Sequence, residues 1–251
     1  MYAWGSETFF AVPRAALIRE VPDFPYIRRR ADEAFFREME RLEQEARELC
    51  TFIEAVTIGH PLAVGFWFEC ANRDLDYTYF ASAENDISYS RREITPFIAN
   101  CTALDMQAFN DDLRQYKALP KSFRSKLLRS MNRFTLSQCR HQMVDRVLDL
   151  ALAFEIAVSG GRGDNAPPSW KVSVRSTQLI GGGLENRQDN RRKIADLYSM
   201  RNQGTHGSIL KNFDQARLQE TAGIYRALLR SCLRHGKEPD WHTLDLQPAF
   251  W

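Results

Sequence analysis

The sequence predicts a mainly α protein, a helical bundle in the C-terminal half behind a smaller mixed α/β N-terminal region. Three observations predict it. Helix-patterned segments follow one another through 121–135, 137–159, 190–203 and 213–234. The stretches "LAVGFWFEC" (62–70) and "LDYTYFA" (75–81) concentrate aromatic and β-favouring residues between turn formers. The chain has 251 residues, 44% of them hydrophobic, which is enough for a real core in one large domain or two modest ones.

Taken in order, residues 1–27 mix aromatics with Pro13, Pro22 and Pro25 and read as irregular or extended. A charged helix follows over about 28–50. Phe35, Met39, Leu42, Ala46 and Leu49 form one apolar stripe, too short for a coiled coil, which is expected to pack on its own domain. Two or three strands are expected between 51 and 100, and His60 sits in a "GHP" turn with a structural role. The domain limit falls near 105–120, giving a mixed region over 1–115 and a helical domain with a C-terminal tail over 116–251. Pro167-Pro168 and "SGGRGDN" mark a loop. The next element is ambiguous by propensity, because Trp170, Val172 and Val174 alternate as in a strand. In the last helix Leu218, Ala222, Tyr225, Leu229 and Cys232 share a face.

Charge and cysteine usage narrow the function classes. A net charge of +2 is too mild to announce a nucleic-acid binder by itself. Locally, however, Lys121, Arg124, Lys126, Arg129, Arg133, Arg140 and Arg146 face a single acid, Asp145, within 121–146. Such a stripe reads either as a solvated helix face or as a track for an anionic ligand. The five cysteines are scattered, with no Cys/His cluster at metal-ligand spacing, so no metal or other cofactor is expected. Scattered thiols and the lack of a leader-like or membrane-spanning apolar run lead to the expectation of a cytoplasmic protein without a membrane partner.

The stretch "RNQGTHG" (201–207) closes a helix-patterned run and holds one of five histidines. Ile194, Leu197, Tyr198 and Arg201 share a face, so Arg201 leaves on the half-buried side. In a continued helix His206 would lie about 140° around from Arg201, and Gly204 and Gly207 could relax the last turn to let them converge. An arginine supplies a planar donor fork for phosphate, and imidazole moves a proton near neutral pH. The plain alternative is a capped helix end, with both side chains on its free carbonyls. Glu155 shares a face with Leu148 and Leu152 and is expected to point inward, the alternative being a solvated place at the bundle margin. A carboxylate pointing inward needs a partner, and Arg175 and Arg201 are the candidates.

The ordered series "DRVLDLALAFEIAV" (145–158), "WKVSVRS" (170–176) and "LYSMRNQGTHG" (197–207), closed by an amphipathic helix, resembles the HEPN superfamily and, within it, the Apea-like HEPN domains. The resemblance covers about 120–235. Phe154 stands where a Leu is usual, and Ser176-Thr177 where small apolar residues are usual; the central motif is intact. The resemblance implies four or five helices over 120–235, with 169–182 helical despite its valines; Ser169 is the N-cap candidate. It also implies a metal-independent endoribonuclease of the R-x4-H type, of the toxin or antiviral-defence kind, in which Arg201, Asn202 and His206 are catalytic. Glu155 and Arg175 would support the motif from behind, and Arg129, Arg133 and Arg140 would contact RNA. One proton-transfer residue per chain further implies a homodimer with a shared cleft, and an antitoxin or defence-system partner would control it. The alternative from another class is a non-catalytic HEPN module that binds RNA or nucleotide or serves as a scaffold.

Overall fold

A computed structural model of the chain describes residues 33–56, 106–160, 167–205 and 215–246. These form α1 (Glu33–Val56), α2 (Met106–Ala118), α3 (Lys121–Cys139), α4 (Met143–Val158), α5 (Pro168–Ile180), α6 (Leu184–Thr205), α7 (Gln215–His235) and the short α8 (Trp241–Leu246). No strand occurs among the described residues, and the protein is mainly α. The strands expected at 62–70 and 75–81, and His60, lie outside the described residues.

The chain divides into two units, Met1–Ala46 with Ala63–Ser90, and Arg47–Leu62 with Arg91–Trp251. Of the first, the described part is the opening of α1, in which Arg41 pairs with Glu45 across one turn. The second contains the bundle. Its core begins with Phe52 of α1, whose ring stacks on Tyr116 of α2 at 4.8 Å and lies 6.0 Å from that of Phe109. Residues on both sides of the 115/116 limit drawn from the sequence therefore share one apolar core. In the stripe expected on α1, Leu49 is half-buried against that core; the side chains of Phe35, Met39, Leu42 and Ala46 lie outside the described residues.

Helix α4 is the centre of the bundle. Its apolar sequence leaves little room for a solvent face, and Val147, Leu150, Ala151, Ala153, Phe154, Ala157 and Val158 are all buried. It packs on α3, α5, α6 and α7. Only residues 140–142 separate it from α3, which makes the two adjacent antiparallel neighbours. Tyr225 of α7 completes the layer: its ring stacks on Phe134 at 4.5 Å and meets Phe154 edge-on at 5.4 Å. Its hydroxyl is satisfied by Ser130 Oγ at 2.7 Å, and that oxygen donates to the Ala153 carbonyl at 2.6 Å. Each large apolar side chain buried in this way stabilises the fold by about 1.5–3 kcal/mol.

The ambiguous segment is helix α5, so the bundle over 120–235 comprises five helices among the described residues. The strand-like alternation loses because the helix starts at Pro168 in its first turn, where a missing N–H costs nothing, and then buries Val172, Ser173, Arg175, Ser176 and Thr177. The N-cap is Pro167 rather than Ser169. Thr177 Oγ1 returns its proton to the Ser173 carbonyl at 2.8 Å, which hides a polar group inside the helix. Gly181, at φ 77°, ends the helix in a conformation that suits glycine, and its N–H donates to the Thr177 carbonyl. Two elements went unforeseen: α2, where Phe109, Leu113 and Tyr116 supply the helical stripe, and α8, within the expected tail.

Candidate functional site

Helix α6 is charged along most of its length and buries a narrow face through Ile194, Leu197 and Tyr198. Arg201 follows one turn later at the margin of that face, with 29% of its side chain exposed. The helix does not relax at Gly204; it continues through Thr205. Asn202 is exposed beside Arg201, with Gln203 and Gly204 half-buried. His206 lies outside the described residues.

Glu155 is not in the bundle interior, as its shared face with Leu148 and Leu152 suggested. The buried face of α4 runs through Val147, Leu150, Ala151, Phe154 and Val158, while Leu148, Leu152 and Glu155 form a half-buried flank. From there Glu155 reaches Arg201: Oε1 lies 3.2 Å from Nη1, with 22% of the glutamate side chain exposed. Arg201 also lies over the Tyr198 ring, 5.6 Å from its centroid. Burial, and after it the Glu155 carboxylate, push the Tyr198 phenol above its usual range. Its hydroxyl donates to the Ala151 carbonyl at 3.4 Å. Tyr198 therefore joins α4 to α6 beneath the ion pair, a role the sequence hinted at only through its place on the buried stripe.

Arg175, the other candidate partner of Glu155, is engaged elsewhere. It is 2% exposed and clamps Asp245 of α8 through Nε at 3.1 Å and Nη2 at 2.8 Å, while Nη1 donates to the Val158 carbonyl at 3.2 Å. The Trp241 ring lies 5.5 Å from it. Arg175 anchors the C-terminal helix to the end of α4. Nothing in the sequence around Asp245 signals this pairing.

Much of the basic stripe is consumed by the fold. Asp149, with 6% of its side chain exposed, accepts from Arg133 Nη1 at 3.0 Å and from Arg140 Nε at 3.1 Å. The signal for it was legible, because an acid inside an otherwise apolar helical run needs cations nearby. Lys126 donates to the Ser159 carbonyl and pairs with Glu238 at 2.6 Å. Arg146 is buried against the Ser137 carbonyl and Gln215. Arg129 stays exposed, and Arg133 and Arg140 keep 44% and 47% of their side chains in solvent.

The arrangement offers a partly exposed guanidinium paired with a carboxylate and lying over a tyrosine ring. The C-terminal end of a helix repels anions, so an anion held at this end of α6 has to be held by side chains. Among the described residues no group of three or more His, Cys, Asp or Glu could hold a metal ion, and no helix is long and apolar enough to cross a membrane. No protein-family model, curated protein or solved structure matches the chain.

Proposed function

We propose that the protein is a metal-independent endoribonuclease of the HEPN R-x4-H type, acting as a toxin or antiviral-defence effector. The observation that supports this reading is the Glu155–Arg201 pair at the solvent edge of α4 and α6, beside exposed Asn202. A carboxylate paired with a partly exposed arginine suits a group that stabilises phosphate charge at the protein surface.

In the reaction, the ribose 2′-OH gives up its proton and attacks the adjacent phosphorus. The bond from phosphorus to the 5′ oxygen breaks, and that oxygen takes a proton. His206 moves protons, worth about 10²–10⁴-fold. Arg201 donates to the non-bridging oxygens as charge builds in the transition state, and Asn202 orients the phosphate. One histidine cannot be acid and base at once, so two motifs meet across a homodimer axis. Arg129, with the solvent-facing edges of Arg133 and Arg140, lies along the RNA backbone.

Labelled RNA incubated with the protein in EDTA tests this. Cleavage with 2′,3′-cyclic phosphate ends is expected, and Arg201→Ala and His206→Ala should each reduce it by about 10² or more while the protein stays folded. Wild-type rates in both variants would leave "RNQGTHG" as a helix cap. RNA binding without cleavage would favour the non-catalytic module.

A further inference from the structure

Three arginines are buried among the described residues, and two of them are held by protein acceptors. Arg146 has the Ser137 carbonyl and Gln215, and Arg175 has Asp245 and the Val158 carbonyl. The third, Arg226 of α7, is 7% exposed, and its Nε is buried without a hydrogen-bond partner. Its guanidinium lies over the Phe134 ring, 4.9 Å from the centroid, a contact that accepts none of its in-plane N–H groups.

The neighbouring charge makes this worse. Arg230 stands one turn further along the same face. It has its own partners, Asp112 Oδ2 at 3.3 Å from Nε and the Val56 carbonyl at 2.9 Å from Nη2. Burial, and after it Arg230, push the Arg226 guanidinium down to about 10, so it still carries its charge at neutral pH. Among the described residues Asp112 pairs with Arg230, and no carboxylate pairs with Arg226. A buried cation is costly unless an anion meets it.

We infer that Arg226 and Arg230 form an anion site on the α7 face next to α2 and α3, built to receive a phosphoryl group. Two guanidiniums four residues apart on one helix, one with an unpartnered Nε and the other with Nη1 beyond its bonds to Asp112 and Val56, suit the several oxygens of a tetrahedral phosphoryl group, whereas a flat carboxylate is matched by a single fork. The phosphoryl group comes either from a free phosphate or mononucleotide or from a polyribonucleotide backbone. The site shares no residue with the Arg201–Glu155 pair and does not depend on the ribonuclease reading.

The test uses the full chain, unfolded thermally and titrated calorimetrically with inorganic phosphate, with AMP and with a short oligoribonucleotide, against chloride at equal ionic strength. The oligoribonucleotide arm uses the His206→Ala background, so that the probe is not cut. Phosphate should raise the unfolding temperature of the wild type. Arg226→Met keeps an apolar stem on Phe134 and removes the charge. It should unfold at higher temperature than wild type in phosphate-free buffer and bind phosphate about ten-fold more weakly, or worse. If that variant does not fold, Arg226→Lys decides, since it keeps the charge but loses the fork and should still bind several-fold more weakly. Tighter binding of the oligoribonucleotide than of phosphate or AMP, abolished by the same variants, identifies a polynucleotide source; equal binding identifies a small ligand. The inference is overturned if none of the three probes binds, or if the Arg226 variants bind as wild type does.

Discussion

At the residue scale, the Glu155–Arg201 pair separates stability from activity. Both side chains are about a quarter exposed, so each can return to water when the other is lost. Glu155→Ala should then cost about 1 kcal/mol of stability or less, the range of a solvent-edge pair. RNA cleavage should fall by more, because Arg201 loses its fixed rotamer; a urea titration beside a cleavage assay checks the difference. An equal fall in both would make the pair purely structural. A second expectation concerns buried acids. Burial pushes the Cys232 thiol from 9.0 to about 12, and the Tyr116, Tyr198 and Tyr225 phenols also lie above their usual range. Their folded-state values are raised, so their stabilising effect is complete below the unfolded values and is lost as pH rises. Between pH 9 and 12 the unfolded chain releases protons that the folded chain retains, and stability should decline through that window. Unfolding temperatures measured from pH 7 upward check the sign.

At the scale of the element, the long helices were legible because each exposes one face, and the three- and four-residue spacing records it. The buried set Leu218, Ala222, Tyr225, Leu229 and Cys232 on α7 is the one the spacing names. Spacing said less where tertiary packing decided. In α5 the valine alternation suited a strand until Pro168 and the buried Arg175 fixed a helix. On α4 the Leu148–Leu152–Glu155 stripe is periodic, yet a second, more apolar stripe on the same helix takes the core. No local pattern reports a pairing such as Arg175 with Asp245, seventy residues apart. That pairing makes α8 a strap whose fit is testable. A Cβ on Gly160 would overlap the Trp241 indole, its Nε1 being 2.6 Å away, while Lys126 and Arg175 lie 5.6 and 5.5 Å from the ring centroid. Gly160→Ala should destabilise the protein by about 1–3 kcal/mol and red-shift Trp241 emission as α8 lifts. An unchanged spectrum and melting temperature would mean the strap adapts freely.

For the whole molecule, the decisive question is whether one chain can carry the proposed reaction. Arg201 is fixed by a carboxylate, Asn202 is exposed, and His206 follows the last residue of α6, so each chain brings one imidazole to a step that needs a proton taken and a proton given. Closing that gap within one chain would need a second titrating group beside the motif. Of the described neighbours, Tyr198 is held protonated and Glu155 faces Arg201. On the proposed reading the missing group comes from a second copy, related by a two-fold axis that brings the two α6 ends together. The half-buried Leu148 and Leu152 flank of α4 lies beside Glu155 and is the apolar surface such an approach would cover. Sedimentation at working concentration should show a dimer. Specific RNA cleavage should fall on dilution through the dissociation range, and Leu152→Arg should shift the chain to monomer and abolish cleavage while α-helical content is kept. A monomer that cleaves RNA at the undiluted specific rate would refute the shared centre, and would require a second proton-transfer group within the chain itself.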